Sequence, residues 1–194
     1  MQDITFQYFF VHPTKCGGTA FLEYMKEHKL DIGERGHDSK CSDHPHPIIF
    51  LRDPVSRFIS MYNYWKNGSE RYPRIGRRFE KYSVDDYIRM IETSCTTLIA
   101  GFTSADHYAP QTKWISPDDY AKTIAVIHKR NLAPSIKELL EYIQFPIPDM
   151  PMGKVNVTNI SLASLKPHHI EWIKKHYACD YELLDNLTQF RKVI

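Results

Sequence analysis

Residues 5–28 read TFQYFFVHPTKCGGTAFLEYMKEH, and their order of local structures decides the fold. Thr5 to Val11 is dense in aromatic and β-branched side chains and stops at His12-Pro13, which predicts a buried strand. Thr14 to Thr19 is a short loop carrying Gly17 and Gly18, and Ala20 to His28 sets Phe21, Leu22 and Met25 at helical spacing. A strand, a glycine-bearing loop and a helix in immediate succession favour an anion. The first N–H groups of a helix have no internal partner, and the helix dipole attracts negative charge to them. Gly17 and Gly18 let the backbone come close to an oxyanion, Lys15 adds a full positive charge, and Thr14 and Thr19 add hydroxyl donors. The triphosphate-binding loop needs GxxxxGK[ST], whereas here the lysine precedes the glycines. Taken alone, the segment also fits an ordinary strand-to-helix turn with an exposed lysine.

Outward from this stretch, Leu30 to Ile32 predicts a short second strand and the histidine- and proline-rich segment Gly33 to Pro47 a loop. Pro47 to Leu51 (PIIFL) is a continuous apolar run suited to a central parallel strand. Asp53 and Pro54 then suit the N-cap and first position of a helix running to about Lys66, with Val55, Phe58, Ile59, Tyr62 and Trp65 inward. Further helices are predicted at Val84 to Glu92, Ala133 to Ile143, Pro167 to Tyr177 and Tyr181 to Phe190, and a strand at Thr123 to His128. Ser116 or Asp118 is a candidate cap for a short helix. Short strands alternating with helices predict an α/β, three-layer domain: a central parallel sheet of four or five strands flanked by helices, with a P-loop-like strand–loop–helix anion site. Residues 1–194 show no repeat and no linker, so a single domain is expected.

The second constellation is LRDPVSRFISMYNY at 51–64. Arg52 stands at the carboxyl end of a predicted strand, where open α/β sheets bind ligands. Arg57 and Ser60 neighbour each other on the following helix. A guanidinium and a hydroxyl suit a phosphate monoester. The plain alternative is a surface pair between Asp53 and Arg57.

Together the two segments carry a resemblance. PTKCGGTAF (13–21) resembles the 5′-phosphosulfate-binding loop of sulfotransferases that use 3′-phosphoadenosine 5′-phosphosulfate (PAPS), and LRDPVSRFISMYNYW (51–65) resembles their 3′-phosphate-binding motif. The similarity is greatest to the carbohydrate branch that includes the heparan 2-O- and 6-O-sulfotransferases. It extends weakly to HYAPQ (107–111), to Asn131-Leu132, to KVNVTN (154–159) and to YACDYELL (177–184). One departure is Lys129-Arg130 before the Asn-Leu pair, where the family often has an acidic residue.

The resemblance implies that Thr14, Lys15, Cys16, Gly17, Gly18, Thr19 and Ala20 hold the 5′-phosphosulfate, with Lys15 neutralising charge on the bridging oxygen, and that Arg52 and Ser60 hold the 3′-phosphate. It implies PAPS as the sulfuryl donor and a hydroxyl acceptor, most simply a carbohydrate, with no metal required.

Such a transfer needs a base for the acceptor hydroxyl. His37, in Arg35-Gly36-His37-Asp38-Ser39, is the first candidate and its setting resembles the histidine segment of the carbohydrate branch. Glu34 is the reserve, with His12 and His107 behind it. Glu34, His107 and Arg71 are also candidate acceptor contacts. A zinc site from His37, Cys41, His44 and His46 is disfavoured, since two prolines and irregular spacing match no zinc pattern. Lys66 to Lys81 (KNGSERYPRIGRRFEK) holds six basic and two acidic residues, fit either for a rim that attracts an anionic acceptor or for a solvated loop. Tyr64, Trp65 and Tyr72 nearby suit stacking on a sugar or on adenine, although Trp65 fits a core position equally well.

A formal charge of +2 gives no support to nucleic-acid binding, and no apolar run reaches the length of a membrane span. Met1 to Phe10 contains Asp3 and lacks a basic start, so it reads as strand rather than signal peptide, and a cytoplasmic location is expected. Cys16, Cys41, Cys95 and Cys179 form no CxxC pair, which fits reduced thiols. The sequons at Asn67, Asn156, Asn159 and Asn186 carry little weight without a leader. The rival readings are a nucleotide-dependent phosphotransferase, for which Walker lysine and magnesium carboxylate are misplaced, and a non-catalytic nucleotide or glycan binder of the same fold.

Overall fold

The computed structural model describes residues 7–67, 81–93, 107–128, 132–145 and 165–188. In chain order the elements are β1 Phe9–Val11, α1 Gly18–Glu27, β2 Gly33–Glu34, β3 Pro47–Arg52, α2 Pro54–Asn67, α3 Val84–Glu92, β4 Ile124–His128, α4 Ala133–Tyr142, α5 Pro167–His176 and α6 Ala178–Leu187. These residues fall into two compact units. One comprises 7–53, 110–128, 132–145 and 179–188, and the other 54–67, 81–93, 107–109 and 165–178.

The first unit is built on a four-stranded parallel sheet in the order β2-β1-β3-β4. The fold class is therefore α/β, with a parallel sheet flanked by helices. Alternate residues on Phe10, Ile48, Phe50, Ile124 and Val126 point to the side where α1 supplies Phe21, Tyr24 and Met25 and α4 supplies Ile136, Leu139, Leu140 and Ile143. Phe10, Phe21 and Phe50 form the aromatic centre, with centroids 4.7 to 4.9 Å apart. The opposite parity, Val11, Ile49, Leu51 and Ala125, is equally inaccessible to solvent. Burial of both faces is what a parallel sheet requires, and it explains why PIIFL is apolar without alternation.

The second strand lies at Gly33–Glu34 rather than at Leu30 to Ile32. Leu30 is used instead to close α1: Lys29 turns left-handed at φ 53, and the Leu30 N–H bonds back to the Met25 carbonyl. The last helix starts at Ala178, ahead of the expected Tyr181, because nothing in Ala178-Cys179-Asp180 breaks a helix. Ser116 does cap a turn, Pro117–Asp119, with its hydroxyl and N–H both on the Asp119 carboxylate.

In the second unit, α2, α3 and α5 meet through Phe58, Tyr62, Trp65, Tyr87, Ile91 and Ile173. Trp65 is 1% exposed and belongs to this core. Ser83 caps α3 through Asp86. Among the described residues no helix is long and apolar enough to cross a membrane. Arg71, Lys129, Arg130, Asn131, the 154–159 segment, Cys95 and most of Lys66 to Lys81 lie outside the described residues.

Candidate functional site

The sheet order creates a switch point. β1 continues to β2 on one side, while β3 and β4 extend on the other, so the crevice beyond β1 and β3 opens at their carboxyl ends. Ligands of open α/β sheets bind in such a crevice. Lys15 and Arg52 both stand at it, on residues that follow or end these two strands.

The loop between β1 and α1 is held in an unusual backbone course. Lys15 (φ 65) and Gly17 (φ 85) are left-handed, and Gly17 is the N-cap of α1 without a capping side chain. No acidic residue occupies the first turn of α1. The glycines are required by their neighbours. A Cβ on Gly17 would sit 2.8 Å from Leu132 Cδ2, and one on Gly18 would sit 2.9 Å or less from the Cβ, Cγ and Nδ1 of His12. A buried histidine thus packs against each side of the loop. His128, 6% exposed, holds the Cys16 carbonyl at 2.9 Å from its Nε2. A carbonyl can only accept, so Nε2 carries the proton and donates.

Arg52 is fixed by a side chain that completes the sheet. β3 outruns β1, since β1 pairs with β3 only as far as Val11↔Ile49, whereas β4 follows β3 to Arg52↔His128. Gln111 supplies the missing partner. Its Oε1 accepts the Arg52 N–H at 2.9 Å and its Nε2 donates to the Arg52 carbonyl at 2.9 Å. The same Oε1 accepts the Cys16 thiol at 3.2 Å, and Nε2 also donates to Asp180 Oδ2 at 3.2 Å. Asp180 Oδ1 receives the Gln111 and Thr112 N–H groups at 2.6 and 3.3 Å. Gln111 and Asp180 are both 0% exposed, so the bonds between them are made away from water.

The two cations are close. Arg52 Nη1 donates to the Lys15 carbonyl at 3.4 Å. Burial, and then the Arg52 charge, bring Lys15 down to about 8, with Cys16 opposing weakly. Burial also brings His128 down to about 4, against its hydrogen bond to Cys16.

The base candidates divide. His37 lies on the single turn Gly36–Asp38 after β2 and is exposed. Its Nδ1 donates to the His12 carbonyl at 2.9 Å, and its own carbonyl accepts from Trp114 Nε1 at 2.7 Å. The resulting tautomer leaves Nε2 as the basic nitrogen. Glu34 at the end of β2 accepts from His12 Nε2 at 2.9 Å. His12 is 4% exposed, and burial, with His37 nearby, lowers its proton affinity more than Glu34 raises it.

Ser60 and His107 belong to the second unit. Ser60 is half-buried on α2, and His107 stacks on Tyr64 at 5.7 Å. Arg57 is buried and donates to the Ala109 carbonyl at 2.8 Å rather than standing as a surface residue.

Among the described residues the only convergent trio of metal-ligand types is Asp85, His168 and His169, in the second unit. Both Nε2 atoms lie 3.0 Å from the same Asp85 oxygen, and His169 Nδ1 accepts the Lys166 N–H at 3.1 Å. That bond puts the proton of His169 on Nε2, where it donates to Asp85; the trio is a hydrogen-bonded tie between α3 and α5. The pair of His bonds brings Asp85 down to about 2. His44, of the disfavoured zinc set, is occupied by Ser39 at 2.6 Å and stacks on Phe9.

Sequence reasoning missed Gln111, Asp180 and His128. The signal for Gln111 and Asp180 was a polar residue inside segments noted only for their resemblance; for His128 it was a histidine ending a β-branched strand.

Replacing Gln111 by Ala removes the side-chain partner of the Arg52 N–H and carbonyl and of Asp180 Oδ2, while the backbone bonds to Asp180 Oδ1 remain, and should cost about 3 kcal/mol or more in urea unfolding. A loss under about 1 kcal/mol would contradict the clasp. His128 should make the fold acid-sensitive. Its folded value, about 4, is below the unfolded 6.5, so the unfolded chain binds more protons in that window. Stability is then full above 6.5 and falls as pH drops toward 4, by at most about 3 kcal/mol from this residue. His128→Asn should lower stability at pH 7 and flatten the dependence between pH 6.5 and 4; an unchanged slope would reject the assignment.

No family model matches the chain, and neither the curated proteins nor the solved structures searched contain a match.

Proposed function

We propose that the protein is a PAPS-dependent sulfotransferase acting on a hydroxyl of a carbohydrate. One observation carries the reading: Lys15 and Arg52 share the crevice at the switch point of a parallel sheet, beside the uncapped N-terminus of α1. Two mutually repelling cations next to a helix N-terminus that has no side-chain cap are stabilised by a doubly anionic ligand. The residues fit a phosphosulfate. The left-handed Lys15 and Gly17 shape the loop ahead of α1, and the first turn of α1 has no carboxylate to compete.

PAPS supplies an activated sulfuryl group: the acceptor oxygen bonds to sulfur as the bond from sulfur to the bridging phosphate oxygen breaks, leaving adenosine 3′,5′-bisphosphate. Lys15 balances negative charge growing on that bridging oxygen, and the loop N–H groups hold the sulfuryl and 5′-phosphate oxygens. Arg52 serves the 3′-phosphate. His37 Nε2 takes the acceptor proton, and its Nδ1–H bond to the His12 carbonyl strengthens as the ring becomes positive.

Adenosine 3′,5′-bisphosphate should raise the melting temperature by several degrees where equimolar ATP raises it little; the reverse order would favour a phosphotransferase. Because Lys15 loses its proton at about 8, bisphosphate affinity should weaken as pH rises through that value. Lys15→Arg should carry full affinity to higher pH, and Lys15→Ala should abolish turnover in a folded protein. Affinity independent of pH between 7 and 9.5 would remove Lys15 from the anion site. Arg52→Ala should raise the dissociation constant for the bisphosphate about tenfold or more, and normal affinity would contradict its assignment.

A further inference from the structure

Glu34 is exposed at the end of β2, two residues before the turn that carries His37. An exposed carboxylate beside an expected reaction centre is itself a candidate base, so its bonds decide its role. One oxygen, Oε1, accepts two N–H groups: the Nε2–H of His12 at 2.9 Å and the backbone N–H of Gly36. The first bond anchors the buried His12, whose carbonyl receives the Nδ1–H of His37 at 2.9 Å. The second fixes the start of the Gly36–Asp38 turn, where Gly36 is left-handed at φ 74. Trp114 holds the far side of that turn through the His37 carbonyl at 2.7 Å. The rings of His12 and His37 meet edge to face at 4.3 Å.

We infer that Glu34 is a positioning residue, which through His12 and Gly36 selects the His37 tautomer with a basic Nε2, and is not itself the base. The role in catalysis rests on the sulfuryl-transfer reading; the tautomer does not. Both N–H groups use the same oxygen, so a glutamine can reproduce both bonds with its single carbonyl oxygen, yet cannot take a proton at neutral pH. An alanine reproduces neither. Without Glu34, the turn loosens and His37 reverts toward the Nε2–H form that an unrestrained neutral imidazole prefers.

The experiment reads the tautomer first. Side-chain ¹⁵N spectra of the full chain, with His37 assigned by comparison with His37→Asn, should show a protonated Nδ1 and a bare Nε2 in the wild type and in Glu34→Gln. Glu34→Ala should move His37 substantially toward Nε2–H. A wild-type His37 protonated on Nε2, or a Glu34→Ala spectrum identical to wild type, overturns the inference. The same proteins are then assayed with PAPS and a glycan panel. Glu34→Gln should stay within about threefold of wild-type kcat. Glu34→Ala should lose about tenfold or more in kcat with KM for PAPS within about twofold, and His37→Asn should lose about 10²–10⁴-fold. A Glu34→Gln loss of that larger size, with the tautomer retained, makes Glu34 the base and overturns its positioning role. A wild type that transfers no sulfuryl group ends the reaction assigned to the site, while the spectra still decide what Glu34 does.

Discussion

The side chain of Gln111 is the constraint on which the candidate site depends. β1 ends before β3 does, so β1 offers no strand partner to the Arg52 N–H and carbonyl on that side. Gln111 closes that edge with its amide, takes the Cys16 thiol on the same oxygen, and is itself held by Asp180. Its two acceptor and two donor positions are all used. A fully satisfied buried network of this kind tolerates little displacement, so the loop and the strand end are set in one frame.

That frame makes it possible to keep two cations together. The Arg52 charge lowers the proton affinity of Lys15, and no carboxylate stands in the first turn of α1. His128 fixes the loop from one side through the Cys16 carbonyl, and His12 leaves room for no side chain at Gly18 on the other. Both histidines are uncharged at neutral pH because burial disfavours the imidazolium, so neither adds to the positive charge.

Much of this was legible in the sequence, for reasons that can be stated residue by residue. PIIFL is apolar throughout because both sheet faces are buried, and TKCGG sits between an aromatic strand and an amphipathic helix, so the parallel α/β class and the strand–loop–helix order at the start of the sheet followed from local pattern. Leu30 misled because its apolar character serves helix closure rather than strand pairing. Gln111 and Asp180 were invisible as a pair, since nothing local in a chain records which buried polar groups meet across the fold. Glu34 and His37 were both legible as acid–base candidates, but their division of labour depends on which nitrogen of His37 faces a carbonyl. The relation of Arg52 to Ser60 rests on resemblance alone, as they belong to different units.

The central claim is that the shared Lys15–Arg52 crevice activates a sulfuryl group for transfer. The most direct measurement is incubation of the full chain with PAPS labelled on sulfur and a panel of hydroxyl-bearing glycans, followed by separation of labelled product. The account predicts label on at least one glycan with stoichiometric release of adenosine 3′,5′-bisphosphate. Tight binding of the bisphosphate with no label on any acceptor would contradict it and leave a nucleotide-binding protein in its place.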